Sequence, residues 1–413
     1  MAAGVCAFCD GTRFSEIVNF GKVALAGAFV KPEQFRNERK FLLRLWFCHD
    51  CYAVQVADHV PPDVLFNDKY FYFSSQIGTL RDHFQRYAGE MVERFLTPAN
   101  AKVLEFGCND GVLLHPLADK GVKTVIGVDP SANVISAIND PRVAVINDFF
   151  TESVAEGIIR DHGPLDLVMA NNVYAHISNI QGTTRAVHKV LKDEGVFVFE
   201  VHYLGNVIEG MQYDMIYHEH LYYYSMLSAV AHFRRYGMTI FDVKSIPIHA
   251  GSMRFYVCKD GSSHSFQISS AAKSLEAEER AKGFDKAECF ARFSQDVAKT
   301  RRDLRALLAD LREKGTRIAG YGASGRANTI IQYCDLTTDH LDYMIDDAPA
   351  KQGYFTPGSH LEILSSRRLF EADAPECVVV FAWAFIDEIR KRNHVYFDNG
   401  GKMIVPLPVV RMI

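Results

Sequence analysis

Short apolar runs separated by spacers of helical length dominate the middle of the chain: AKVLEFG at 101–107, TVIGVD at 124–129, VAVIND at 143–148, LDLVMAN at 165–171 and VFVFEV at 196–201. Apolar stretches of strand length alternating with amphipathic helices predict a parallel, doubly wound sheet. An amphipathic pattern from 76 to about 98 predicts a helix leading into it. After a loop rich in Tyr and His, TIFDVK at 239–244 and SMRFYVC at 252–258 read as two further strands of the same unit. Residues 265–313, rich in Ala, Lys, Glu and Arg with helical apolar spacing, predict one or two connecting helices. A second α/β pattern then begins, with TRIAGYGA at 316–323, LDYMIDD at 341–347 and CVVVFAW at 377–383 as strands.

Ahead of these patterns the chain is organised by cysteine. Cys6-x-x-Cys9 and Cys48-x-x-Cys51 flank a 38-residue spacer, followed by a Pro-Pro-Asp turn at 61–63 and an aromatic run, YFYFSS, at 70–75. Two thiolates on each of two tight turns is what a tetrahedral four-sulfur zinc site requires, and a full shell leaves no position for a reacting water. The expected metal is therefore structural, holding residues 1–60 together. The chain divides on this reading into a zinc-binding module (1–68), a second unit with its linker helices (69–300) and a C-terminal Rossmann-like domain (301–413). The expected fold class is α/β, a small zinc-binding module plus two Rossmann-like doubly wound domains.

Composition narrows the function. With 413 residues, 48% of them hydrophobic and 23% charged, the chain has the make-up of a globular protein of two to four domains at about 150 residues each. A net charge of −5 and a pI near 6.3 supply no basic field for nucleic acid, which counts against a zinc-ribbon regulator. No run approaches the roughly 20 apolar residues that cross a bilayer, and the N-terminus lacks the pattern of a signal peptide. Nine cysteines, an odd number, argue against a disulfide framework. A cytoplasmic protein without membrane or nucleic-acid partners is expected, as a monomer or weak oligomer.

Two glycine-rich turns carry candidate ligand chemistry. Glu105-Phe-Gly107-Cys-Asn109-Asp110-Gly111 follows a strand and opens a helix, and Asp129 ends the next strand 18 residues on, where a carboxylate accepts from a ribose diol. Carboxylate at the turn suits a cationic sulfonium cofactor better than a pyrophosphate. Asp148 and Asn171, at the ends of the next two strands, face the same crevice. The second turn, Gly320-Tyr-Gly322-Ala-Ser324-Gly325, matches a dinucleotide fingerprint, with Asp346 and Asp347 about 21 residues later. By itself it predicts NAD, so a nicotinamide oxidoreductase stands as the alternative; the same loop could cradle a nucleotide sugar's diphosphate on a helix N-terminus.

Titratable and phenolic groups crowd into YDMIYHEHLYYYS at 213–225. The two histidines lie two apart, not four as a zincin helix needs. In extended backbone His218 and His220 would share one face, with Tyr217 and Glu219 on the other. His176, in NNVYAH, follows the fourth strand where α/β crevices open.

Taken together these motifs resemble the zinc-containing sugar C-methyltransferases that act on nucleotide-linked 4-keto sugars. The resemblance covers nearly the whole chain and rests on the paired CxxC module, ALAGAF at 24–29, YFYFSS, LEFGCNDG at 104–111, NNVYAHI at 171–177, YDMIYHEHLYYYS, HAGSMR at 249–254, AGYGASGRANTIIQYCD at 319–335, KQGYFTPGSH at 351–360 and FAW at 381–383. It implies zinc on Cys6, Cys9, Cys48 and Cys51, with S-adenosylmethionine between Glu105 and Gly111 and at Asp129. It implies catalytic positions at Tyr217, Glu219, His220, His176 and Tyr72. A sugar nucleotide would lie at Gly320, Gly322, Ser324, Gly325, Lys351 and Ser252. The expected chemistry removes a proton beside the ketone and methylates the enolate carbon: His220 is the base, Glu219 orients it, and Tyr217 or Tyr72 holds the oxyanion. His202, Ala250 and Ala384 depart from the family's usual proline, glycine and asparagine.

Overall fold

The computed structural model describes residues 4–65, 73–248 and 251–413; Tyr72, His249 and Ala250 lie outside them. The chain opens with an antiparallel sheet, β1 (Phe14–Ala24), β2 (Lys40–Cys48) and β3 (Val54–Val56). Two of these strands occupy what the sequence showed only as a spacer between cysteine pairs. Residues 78–95 form the helix expected over 76–98, burying Leu80, His83, Phe84, Tyr87 and Met91 on one face.

Five parallel strands follow: β4 (Lys102–Phe106), β5 (Thr124–Val128), β6 (Val143–Ile146), β7 (Leu165–Asn171) and β8 (Leu191–His202). The chain then returns to the first sheet as β9 (Tyr222–Tyr223), pairing antiparallel with β3. β10 (Met238–Ile246) and β11 (Ser252–Lys259) complete a seven-stranded sheet of order β10-β11-β8-β7-β4-β5-β6, in which β11 runs against both neighbours. The chain steps outward from β4 through β5 to β6, then restarts on the other side of β4 with β7. Ligands of open α/β sheets bind outside the carboxyl ends of the strands at such a switch; here Glu105 and Asn171 stand there.

Two helices, Ser270–Lys282 and Ala287–Glu313, link this sheet to the last one. The longer buries Phe290, Phe293, Val297, Leu304 and Leu308 along one stripe, the spacing of an amphipathic helix. The C-terminal sheet comprises β12 (Ile318–Tyr321), β13 (Met344–Ile345), β14 (Ile363–Leu364), β15 (Cys377–Val380), β16 (Lys402–Val405) and β17 (Arg411–Met412), in the order β14-β13-β12-β15-β16-β17. Three of these, β14, β16 and β17, were not expected. β14 and β16, runs of two and four residues in parallel pairing, carry no alternation to read, and β17 is an exposed two-residue strand that pairs antiparallel with β16.

Apolar packing crosses all three sheets. One cluster runs from Cys6, Phe8, Cys48 and Cys51 into Phe106, Phe197 and Phe199 of the central sheet. Another joins Ile17, Val18, Leu43 and Leu45 of the first sheet to Ile318, Met344 and Val379 of the last. The first sheet is thus a wedge sharing core with both larger ones. Among the described residues no helix is long and apolar enough to cross a membrane.

Candidate active site and zinc centre

The four module cysteines converge. Their Sγ atoms all lie within 4.8 Å of one another, with Cys6 to Cys51 at 3.5 Å and Cys9 to Cys48 at 3.6 Å. Zinc–sulfur bonds of about 2.3 Å at tetrahedral angles separate ligands by about 3.8 Å, so the donor set fits a zinc ion. Each pair sits on a knuckle: Asp10 N–H donates to the Cys6 carbonyl and Tyr52 N–H to that of Cys48. Asp10 and Tyr52 turn through positive φ, 62° and 64°. No disulfide links the described cysteines.

At the switch point, Glu105 is 2% exposed and accepts from Asn171 Nδ2 at 2.8 Å. Burial pushes its carboxyl up to about 8, partly opposed by that bond. Glu105 Oε2, Asn171 Oδ1 and Asn172 Oδ1 are buried acceptors without a hydrogen-bond partner among the described residues. A cluster of orphaned acceptors is costly unless a donor-bearing ligand meets it, and the ammonium and sulfonium of S-adenosylmethionine have the complementary character. The turn itself demands glycine: Gly107 has φ +66°, and a Cβ there would lie 2.6 Å from the Val173 side chain.

Asp129 Oδ2 accepts from Asn109 N–H at 3.0 Å and Oδ1 from Ser131 N–H at 2.9 Å, so the carboxylate is fixed at the end of β5. Asn109 and Asp110 turn their side chains to the backbone amides of Ser74 and Ser75. They moor the segment just after Tyr72 over the crevice. Asp148 is exposed, with its own carboxylate turned onto Phe149 N–H; its neighbour Asn147 bonds the Asp129 carbonyl.

The segment 217–220 is a turn, so the shared face that extended backbone would have given is not formed, because His220 N–H donates to the Tyr217 carbonyl at 3.0 Å. This folds Tyr217 against His220, ring centroids 4.1 Å apart, and sends His218 away to the Leu42 carbonyl at 3.0 Å. His176 and His202 flank His220 at 5.0 and 4.7 Å between centroids. His220 Nδ1 lies 2.8 Å from the Met215 carbonyl. A carbonyl only accepts, so Nδ1 carries the hydrogen and the lone pair is on Nε2. The expectation that Glu219 orients His220 is thereby corrected. The Met215 carbonyl does so, itself held by Tyr223 Oη at 3.0 Å, because adjacent residues in the turn diverge and Glu219 faces Gly27. Burial pushes the Glu219 carboxyl up to about 7 and pulls the His176 imidazole down to about 4.

The helix Gly325–Tyr333 closes the site from the C-terminal domain. Thr329 Oγ1 donates to the Ile216 carbonyl at 3.2 Å and Asn328 Nδ2 to that of Ala26 at 2.6 Å, and a Cβ on Gly325 would lie 4.0 Å from the Tyr217 ring. Gly320 and Gly322 are required by packing: a Cβ would lie 2.2 Å from Met344 and 2.6 Å from Ala382, respectively. Ser324 caps the helix by accepting from Ala327 N–H. Lys351 Nζ bonds the Ala323 carbonyl at 2.7 Å and Asp346 at 3.0 Å, bracing the loop. Asp347 is taken by Tyr321 and Arg392. Ser252, expected at the substrate, is fully buried with Oγ on the Ile248 carbonyl; as the first residue of an interior strand, it supports the cleft.

Sequence reasoning missed a buried charge network beneath this site. Glu200 accepts from His83 at 2.9 Å and Arg254 at 2.7 Å. Arg254 also reaches Glu90 at 2.9 Å and lies 3.4 Å over the Tyr87 ring. It ties the helix 78–95 to β8 and β11. The arginine of HAGSMR was its one visible sign.

A switch-point crevice built for a sulfonium donor, a glycine turn with a fixed carboxylate at the next strand and a four-cysteine zinc centre define a zinc-containing, S-adenosylmethionine-dependent methyltransferase. Family models match in the same order: a zinc binding domain at 6–66, a methyltransferase domain at 80–243 and a C-methyltransferase C-terminal domain at 247–408. The chain is 30% identical over 409 residues to the C-methyltransferase NovU of Streptomyces niveus, covering 99% of this chain and 96% of that one, and it belongs to that C-methyltransferase family. A ubiquinone biosynthesis O-methyltransferase of Azorhizobium caulinodans is 24% identical over 124 residues, 30% of this chain and 49% of its own. This membership replaces the oxidoreductase alternative.

Proposed function

We propose that this C-methyltransferase methylates the carbon beside the ketone of a nucleotide-linked 4-keto sugar, through an enolate formed by His220. The observation that carries the reading is the bond from His220 Nδ1–H to the Met215 carbonyl, which leaves Nε2 as the one basic nitrogen. Support comes from its neighbours, for the His220 ring lies against Tyr217, which meets the Gly325 helix, and against His176 beyond the end of β7.

Glu105, Gly107, Asn171 and Asp129 hold the methyl donor, with Asn109, Asp110 and Gly111 shaping the turn and Asp148 on the adenine side. S-adenosylmethionine, when bound, supplies an electrophilic methyl group. His220 Nε2 would take the proton from the activated carbon, leaving on that carbon the electron pair that accepts the methyl as the donor's C–S bond breaks and its sulfur departs neutral. The Tyr217 phenol, against His220, donates to the oxygen that becomes negative, and Tyr72 is assigned the same task from the sequence alone. Glu219, with a carboxyl near 7, is partly protonated at neutral pH and can donate to a substrate oxygen. His176, neutral at that pH, forms the wall behind. Gly322, Ser324 and Gly325 offer a capped helix N-terminus for the diphosphate, with Gly320 and Lys351 holding the loop. Residues 1–68, 69–300 and 301–413 act as zinc module, donor domain and sugar-nucleotide domain.

The test supplies methyl-labelled donor with nucleotide-linked 4-keto sugars and with their 4-hydroxy counterparts. Carbon methylation of the ketones alone is expected, and His220→Asn should cost about 10²–10⁴-fold in turnover while donor affinity is kept. Equal transfer to the 4-hydroxy compounds, or transfer to oxygen, would overturn the reading.

A further inference from the structure

Carbon methylation leaves one proton on the base at every turnover, and His220 is badly placed to shed it. The residue is 4% exposed. Its Nδ1 is committed to the Met215 carbonyl, so Nε2 must both receive the proton and release it. Among the described residues, Tyr217, His176 and His202 lie ring against ring with it. A neutral phenol is no acceptor near pH 7. His176 lies farther from His220 than His202 does, 5.0 against 4.7 Å between centroids, and burial of its ring lowers its imidazole to about 4, below the usual value of about 6.5.

We propose that His202 carries the abstracted proton from His220 to solvent. It is the last residue of β8, paired in register with Ser252 at the start of β11, and it is partly exposed where His220 is buried. Its ring centroid is 4.7 Å from that of His220, within reach of direct or single-water transfer. The N–H bond at His220 Nε2 breaks as one forms on the His202 ring. His202 then gives its proton to bulk water and returns to the neutral form. It is a positioning residue for the proton, acting through His220, and touches neither the donor nor the carbon.

This inference rests on His220 being the base, and the experiment separates the two. In D₂O with S-adenosylhomocysteine in place of the donor, a base that captures a substrate proton either returns it to the same carbon or loses it to solvent. Only the second event puts deuterium into the substrate, so exchange reports proton escape. Methyl transfer commits the carbon forward and reports it far less. With dTDP-4-keto-6-deoxyglucose as the probe, the wild type should exchange the proton beside the ketone. His202→Ala and His202→Gln should lose about tenfold more exchange than methyl transfer, since direct escape to water still keeps pace with a typical turnover of about 10 s⁻¹. Free imidazole should restore exchange in His202→Ala. Absence of exchange in the wild type, or wild-type exchange in His220→Asn, would overturn the base assignment. Exchange and methylation falling in equal proportion in both His202 variants, wild-type exchange in both, or no rescue by imidazole would overturn the relay alone.

Discussion

Donor binding should be coupled to release of a proton from Glu105. In the free enzyme this carboxyl is buried and pushed up to about 8, so at pH 6 about 1% of it is ionised and at pH 8 about half. A cationic donor beside Oε2 favours the carboxylate. Affinity for S-adenosylmethionine should therefore rise about ninefold from pH 6 to 7 and about fivefold from pH 7 to 8, about 50-fold or about 2.3 kcal/mol over that range, and level off within about a further factor of two above it. The sign for the free protein is opposite. The unfolded chain ionises this carboxyl near its ordinary value of 4.5 while the folded chain resists, so free-enzyme stability falls as pH rises from there to about 8. Calorimetric titration in two buffers of different ionisation enthalpy counts the proton directly. Close to one proton should leave per donor bound near pH 7, and Glu105→Gln should abolish both the release and this part of the pH dependence. Affinity flat from pH 6 to 8 with no proton released would refute the reasoning.

Elemental analysis should find one zinc per chain, and Cys48→Ser should lose it and destabilise residues 1–60 before chemistry is affected; wild-type protein purified without chelator and free of zinc would contradict the assignment. Asp129→Ala should weaken S-adenosylhomocysteine binding by about 1.5–3 kcal/mol, the range for a charge-assisted hydrogen bond, and unchanged affinity would remove it from the donor site.

What the sequence made legible was local. Two CxxC pairs state a metal geometry within a few residues each, and the Glu105 to Gly111 turn with Asp129 at the next strand end states a ligand crevice through the backbone it demands. The network of His83, Glu90, Glu200 and Arg254 was not legible, since its partners lie 117, 54 and 164 residues apart and each reads alone as an ordinary charge. The orientation of His220 escaped for another reason. Its partner is the carbonyl of Met215, and a main-chain acceptor leaves no residue type to recognise, so the neighbouring carboxylate of Glu219 drew the role. Whether 217–220 is extended or turned was likewise not legible, since one backbone hydrogen bond, from His220 N–H to the Tyr217 carbonyl, decides it and four residues carry no pattern that reveals it.

The two-residue strand β9 has a bearing on how such enzymes can be recombined. Tyr222 and Tyr223 pair with Gln55 and Val54, only six residues beyond the second zinc knuckle's first cysteine, and His220 stands two positions before them. Phe8, from the first knuckle, rests on Tyr222 and Tyr224 at 5.1 and 5.4 Å between centroids. The N-terminal module is therefore no exchangeable cassette. A chimera that took residues 1–68 from one relative and the remainder from another would graft a foreign edge onto the strand that seats the base. To keep His220 aimed, it would have to transplant the 213–225 segment together with the cysteines.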